Sequence, residues 1–192
     1  EDVGIYSAAV KLSEVWYFLP AAIVTSFFPK LIESKYQNHQ IYKSELQKLN
    51  DILFALSFLV AIVVTLSGER IVFLIFGEAY RDSAAILVVH IWASILVFMR
   101  ALLSKWLIVE NLLRLSLLSQ LSGAFVNVVL NLYLIPIYGA LGAAYATILS
   151  YCVAGYLILF LHKDLRPMAR VSSRSILLPI RLLRSGGKLY GR

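Results

Sequence analysis

Long apolar runs separated by short polar breaks set the layout of this chain. Residues 3–28, 52–68, 84–107, 112–135 and 140–161 are almost continuous in apolar side chains. A hydrocarbon core about 30 Å thick is crossed by about 20 residues of helix. Each run is therefore predicted to be a membrane span, the second being the shortest and extendable past Glu69 and Arg70 to residue 76. The expected fold is an all-α integral membrane protein with about five transmembrane helices. Pro20 should kink the first span, because proline removes a backbone bond and clashes with the preceding turn. The polar stretch 30–51 reads as a solvated connection at one membrane face, with some helix over 41–49. Residues 163–192 form a basic tail, in which the apolar segment 176–183 lies between arginines. Such a segment is expected to rest on an anionic leaflet surface, and Gly186-Gly187 should leave the end flexible.

Polar residues inside these runs are the informative ones. A cation near mid-membrane costs at least about 2.5–3.5 kcal/mol, so it normally faces a protein interior or a wet cavity. The third span carries His90, Arg100 and Lys105. Lys105, beside Trp106 near the span's end, is explained by snorkelling and interfacial anchoring. Arg100 lies deeper and is a candidate cavity residue; His90 is a weaker one, read first as a hydrogen-bonded interior imidazole. In the first span Lys11 and Glu14 share a helical face. They either pair with each other or offer Lys11 to a passing anion that Glu14 holds or releases.

The fourth span stacks Ser116, Gln120, Gly123, Asn127 and Asn131 on one face. Side-chain amides in hydrocarbon need partners. The stripe is either interhelical hydrogen bonding, worth about 0.6–2 kcal/mol per contact, or a wet surface for hydroxyl-rich cargo. Gly142, Ala146, Ser150 and Ala154 repeat every four residues in the fifth span, a small-residue pattern that lets two helices approach closely.

Composition agrees with this layout. Of 192 residues, 60% are hydrophobic and 15% charged, where soluble domains run near a quarter charged. The net charge of +7 would suit nucleic acid only on a polar, solvent-facing surface, which so apolar a chain does not offer. One cysteine, Cys152, excludes an intrachain disulfide and a cysteine-based metal site. No metal or cofactor site is expected, and no converging carboxylates or histidines suggest an enzyme. With the tail placed in the cytoplasm, Lys30, Lys35, Lys43, Lys48, Lys105, Arg114 and the tail's own cations fall on that side. Only Arg70 and Arg81 face the other. This follows the positive-inside rule. Residue 1 is Glu with no signal peptide before it, and the chain reads as the C-terminal part of a longer protein.

Three segments carry a family likeness: residues 3–31 (VGIYSAAVKLSEVWYFLPAAIVTSFFPKL), 75–84 (IFGEAYRDSA) and 131–150 (NLYLIPIYGALGAAYATILS). They resemble the polysaccharide-exporting branch of the multidrug/oligosaccharidyl-lipid/polysaccharide exporter superfamily, the bacterial O-antigen flippases in particular. The run Pro136–Ala144 is the most specific piece. The resemblance implies the last five helices of the second lobe of a twelve-helix exporter, with the first lobe missing. It implies flipping of an undecaprenyl-pyrophosphate-linked oligosaccharide across a bacterial inner membrane by rocking of one half against the other, so that the piece alone would be inactive. Lys11, Glu14, Arg100, Gln120 and Asn127 are then the substrate-cavity candidates, with His90, Ser116 and Asn131 behind them. A cation-coupled multidrug exporter of the same superfamily and a non-transporting membrane scaffold are the alternatives.

Overall fold

The structure, a computed structural model, describes residues 2–185. Glu1, Gly186, Gly187, Lys188 and Arg192 lie outside the described residues, and with them the flexibility expected of the two glycines. Among the described residues nine α-helices follow one another: α1 (Asp2–Glu14), α2 (Phe18–Gln37), α3 (His39–Phe76), α4 (Ser83–His90), α5 (Ala93–Val109), α6 (Leu113–Tyr138), α7 (Ala140–Gly155), α8 (Arg166–Ile176) and α9 (Leu178–Ser185). Five stretches are long and apolar enough to cross a membrane: Val3–Gln37, His39–Phe76, Ser83–Val109, Leu113–Tyr138 and Ala140–Phe160. The five-span expectation is met, with several boundaries moved.

The largest difference concerns residues 30–51, expected to be mostly loop. They are helical except at Asn38, where the extended backbone separates α2 from α3. The Asn38 side chain accepts from the backbone N–H groups of Gln40 and Ile41 at 2.8 and 3.3 Å, capping α3 as asparagine commonly does. Polar helix looked like loop because its charges are used between helices. Lys35 Nζ reaches the Glu110 carboxylate at 3.0 Å and donates to the Val109 carbonyl at 2.7 Å, while the Tyr42 hydroxyl donates to the other Glu110 oxygen at 2.8 Å. These bonds join the ends of α2, α3 and α5. Beside them α5 closes with Asn111 at φ 60°, a conformation asparagine tolerates. Leu112 N–H then donates back to the Leu107 carbonyl at 2.8 Å.

The first span is interrupted at Val15–Tyr17 by a 3₁₀ turn just before Pro20. The carbonyl that Pro20 would crowd belongs to Trp16, four residues back, which accounts for the position. Pro29 sits within α2 without ending it. The second span runs unbroken from His39 through Glu69 and Arg70 to Phe76, and Gly77 stops it at φ 79°. At about 1.5 Å per residue it is some 57 Å long, far more than one bilayer core, so its polar first turns stand outside the hydrocarbon. The third span breaks at Ile91–Trp92 into α4 and α5.

The third span is the centre of the bundle, with 56% of its apolar window buried; for α6 the figure is 6%. One apolar core gathers Leu53 of α3, Phe98, Leu102 and Leu103 of α5, and Met168 of α8; a second gathers Ala9 of α1, Ala61 and Val72 of α3, Leu87 of α4 and Ala144 of α7. The tail is thus no free strand. α8 buries Met168, Ala169, Val171, Ser172 and Ser175, and Leu178 at the start of α9 packs with Phe54 and Met99. Asp51, 4% exposed, fastens this unit: it accepts from Gln47 at 2.8 Å, from Ser175 at 2.7 Å and from Arg181 at 3.2 Å.

Replacing Asp51 with Ala removes the acceptor on which those three donors converge. The expected cost is about 2–4 kcal/mol, with faster amide exchange across residues 172–183 than in the parent; unchanged exchange there would show that α8 and α9 are held by apolar contacts alone.

Candidate functional site

A polar cleft of about 410 Å³ lies between α1, the end of α4, α5, α6 and α7. Tyr6 and Glu14 line it from α1, His90 from α4, Arg100 from α5, Gln120 and Asn127 from α6, and Thr147, Ser150 and Tyr151 from α7. A smaller cleft of about 110 Å³ lies among Phe27, Leu31, Leu49 and Ile52 with Lys30, Glu45 and Lys48. Its charges are spent on one another, Glu45 holding Lys30 at 3.1 Å and Lys48 at 3.7 Å.

Helix ends position the main cation. α7 stops at Gly155, so the Ala154 carbonyl is among those left without an onward helical donor. Arg100 Nη1 donates to that carbonyl at 2.6 Å and to Ser119 Oγ at 2.9 Å, and the Ser119 hydroxyl donates to the same carbonyl at 2.7 Å. A cation at a helix C-terminus also meets the negative end of the helix dipole. One guanidinium thereby ties α5, α6 and α7 together. Among the described residues no carboxylate pairs with Arg100, and its Nη2 and Nε have no hydrogen-bond partner. The side chain is half-buried and borders the cleft, so part of the guanidinium is free to meet an anion there.

Close approach of α6 and α7 shapes the floor. Gly123 faces Ala154 so tightly that an added Cβ would lie 2.6 Å from the Ala154 Cβ and 3.4 Å from the Ser150 carbonyl. At Gly142 the obstacle would be the Leu134 carbonyl. The small residues of the fifth span therefore do what their spacing predicts, and Ser150 does more. Its hydroxyl donates to the Thr147 carbonyl at 2.9 Å and accepts from Asn127 Nδ2 at 3.2 Å, while Asn131 Nδ2 donates to Asn127 Oδ1 at 3.0 Å. The amide stripe is thus partly interhelical glue and partly cleft wall, with exposed Gln120 on the open side.

The other candidates divide. Glu14 lines the cleft, but Lys11 is exposed and outside its lining, and among the described residues no ion pair joins the two. Three residues of spacing put them on neighbouring positions, yet the side chains diverge. His90 is 2% exposed and its Nδ1 lies 2.8 Å from Ser13 Oγ, with the Tyr6 ring edge-on at 6.4 Å. This is the bonded interior imidazole, touching the cleft from below. Ser116 is outside the lining, and Asn131 reaches it only through Asn127. Lys105 lies over the Phe28 ring at 5.4 Å, a cation–π seat. Tyr6, Thr147 and Tyr151 were not singled out from the sequence; single hydroxyls in apolar helices carry no periodic signal, and only the α1–α7 approach collects them.

A family model described as lipid II flippase MurJ matches residues 7–182. The chain belongs to that family. The family lies within the exporter superfamily read from the sequence, and the model matched is one of lipid II flippases. It is a family of transporters for lipid-linked substrates, not of catalysts. Searches of curated proteins and of solved structures returned no match.

Gly123→Ala should force α6 from α7 and cost about 1–3 kcal/mol, measured as a lowered unfolding temperature in detergent. Adding Ala154→Gly should recover most of the loss; no recovery would mean the contact does not limit the approach.

Proposed function

We propose that this chain supplies one wall of a passage for an undecaprenyl-pyrophosphate-linked saccharide moving between leaflets of a bacterial inner membrane. The observation that carries this reading is Arg100, a cation with no carboxylate partner among the described residues, bordering a cleft lined by amides and hydroxyls. A guanidinium suits phosphate oxygens, to which it donates in parallel pairs. Gln120, Asn127, Thr147 and Ser150 suit sugar hydroxyls. Family membership favours lipid II as the cargo; an O-antigen repeat unit shares the same carrier and pyrophosphate and is the runner-up. The cleft is open, and α6 presents Leu117, Leu121, Phe125 and Leu132 outward. A second half of the transporter is proposed to close over this side. The distribution of basic residues supports a cytoplasmic C-terminus.

Glu14 in the same cleft favours a second reading, a cation-coupled exporter of organic cations, in which the carboxylate rather than Arg100 is indispensable.

The test is binding of two labelled lipids to the reconstituted chain: lipid II and an undecaprenyl-pyrophosphate oligosaccharide without peptide. Arg100→Gln should weaken both by roughly 10–100-fold, the value of a charge-assisted hydrogen bond, and Asn127→Ala by less. Tighter parent binding of lipid II selects it over the runner-up. Undiminished binding by Arg100→Gln would confine Arg100 to capping α7, and loss only in Glu14→Gln, with cationic drugs as ligands, would favour the second reading.

A further inference from the structure

The α8–α9 unit sorts its side chains into three groups, and their arrangement identifies a partner. One face of α8 is pinned against the bundle by Met168, Ala169, Val171, Ser172 and Ser175. That fixes which way the other face points. Arg166, Arg170 and Arg174 recur every four residues on it, all exposed, and among the described residues none of the three has an ion-pair partner. The acid of this region, Asp164, lies 3.6 Å from His162 instead. Directly after α8, Leu177, Ile180 and Leu183 are also exposed, Leu183 to 85%. Leu178 between them packs on Phe54 of α3 and Met99 of α5, side chains of two membrane spans. Leu178 thus ties the start of α9 to two membrane spans, while Leu177, Ile180 and Leu183 stay exposed beside it and the arginines lie on the preceding helix.

We propose that α8 and α9 form a seat for anionic phospholipid headgroups, with Arg166, Arg170 and Arg174 receiving the phosphates and Leu177, Ile180 and Leu183 entering the acyl layer. A soluble basic tail would have no use for the leucines, and a purely apolar contact would have no use for a stripe of unpaired guanidinium groups. An amphipathic helix lying in the interface needs both. The Asp51–Arg181 pair, with 3.2 Å between charged atoms, takes the one arginine of α9's inner side out of this role and anchors the seat to α3. No residue of α8 or α9 is among those lining the cleft, and the seat is independent of which saccharide is carried.

The experiment uses the full chain in neutral detergent, titrated with phosphatidylglycerol or phosphatidylcholine while the unfolding temperature is followed. Phosphatidylglycerol should raise it and phosphatidylcholine should not, and added salt should abolish the difference. Each arginine near an anionic surface strengthens attachment by roughly fivefold. The triple variant R166Q/R170Q/R174Q should therefore need on the order of 100-fold more phosphatidylglycerol for half of the effect, and R166K/R170K/R174K should keep most of the parent's response. Equal responses of the parent to both lipids, or a triple glutamine variant that responds like the parent, would overturn the proposal. So would a parent dimer that the glutamine variant dissociates without any lipid selectivity, since the stripe would then serve a second copy. If the glutamine variant does not fold, the salt dependence of the parent and the lysine variant decide between these outcomes.

Discussion

Inside hydrocarbon no water is available to complete a hydrogen bond, so wherever a helix ends or a charge is buried the protein itself must answer. At the end of α7 the answer is Arg100. Its guanidinium covers the Ala154 carbonyl and Ser119 at once, and by doing so fixes the mutual placement of α5, α6 and α7. The cleft is a consequence of that placement, since its walls are the faces of these helices that point past the tie. The same side chain is satisfied on one nitrogen and open on the others, which is how one residue both holds the site together and gives it a positive charge.

The polar residues away from the cleft obey the same constraint with different partners. At one end of the bundle Lys35, Tyr42 and Glu110 join three helices, and Asp51 gathers Gln47, Ser175 and Arg181. The first cluster sits at the start of the long α3 and the second where its apolar portion begins. They let α3 continue beyond the membrane as a helix rather than a loop, and they give the basic C-terminal region a folded place. Partly exposed ion pairs such as these are weak evidence for stability taken singly. Their value here is positional: each fixes the register of a helix whose apolar face would otherwise slide along its neighbour.

Five apolar runs, their order and the small-residue face of α7 were readable from the chain, because hydropathy and spacing act locally and a bilayer imposes one length on every span. The same reasoning misread residues 30–51. Their Lys, Glu and Tyr side chains look like a solvated connection until α5 and α2 arrive to pair with them. For Lys11 and Glu14, spacing places both on one helix face but does not say which of them lines the cleft.

The sequence by itself determined that this chain spans a membrane, and how its spans are divided, since these follow from how many consecutive residues avoid water. It also marked Arg100, Gln120 and Asn127 as costly in hydrocarbon and hence in need of partners. Only the tertiary structure decided who those partners are: a helix-terminal carbonyl for Arg100, a serine of α7 for Asn127, open space for Gln120. Partner choice depends on contacts between residues 23 to 54 positions apart, and no local pattern encodes a distance that the packing of other helices sets.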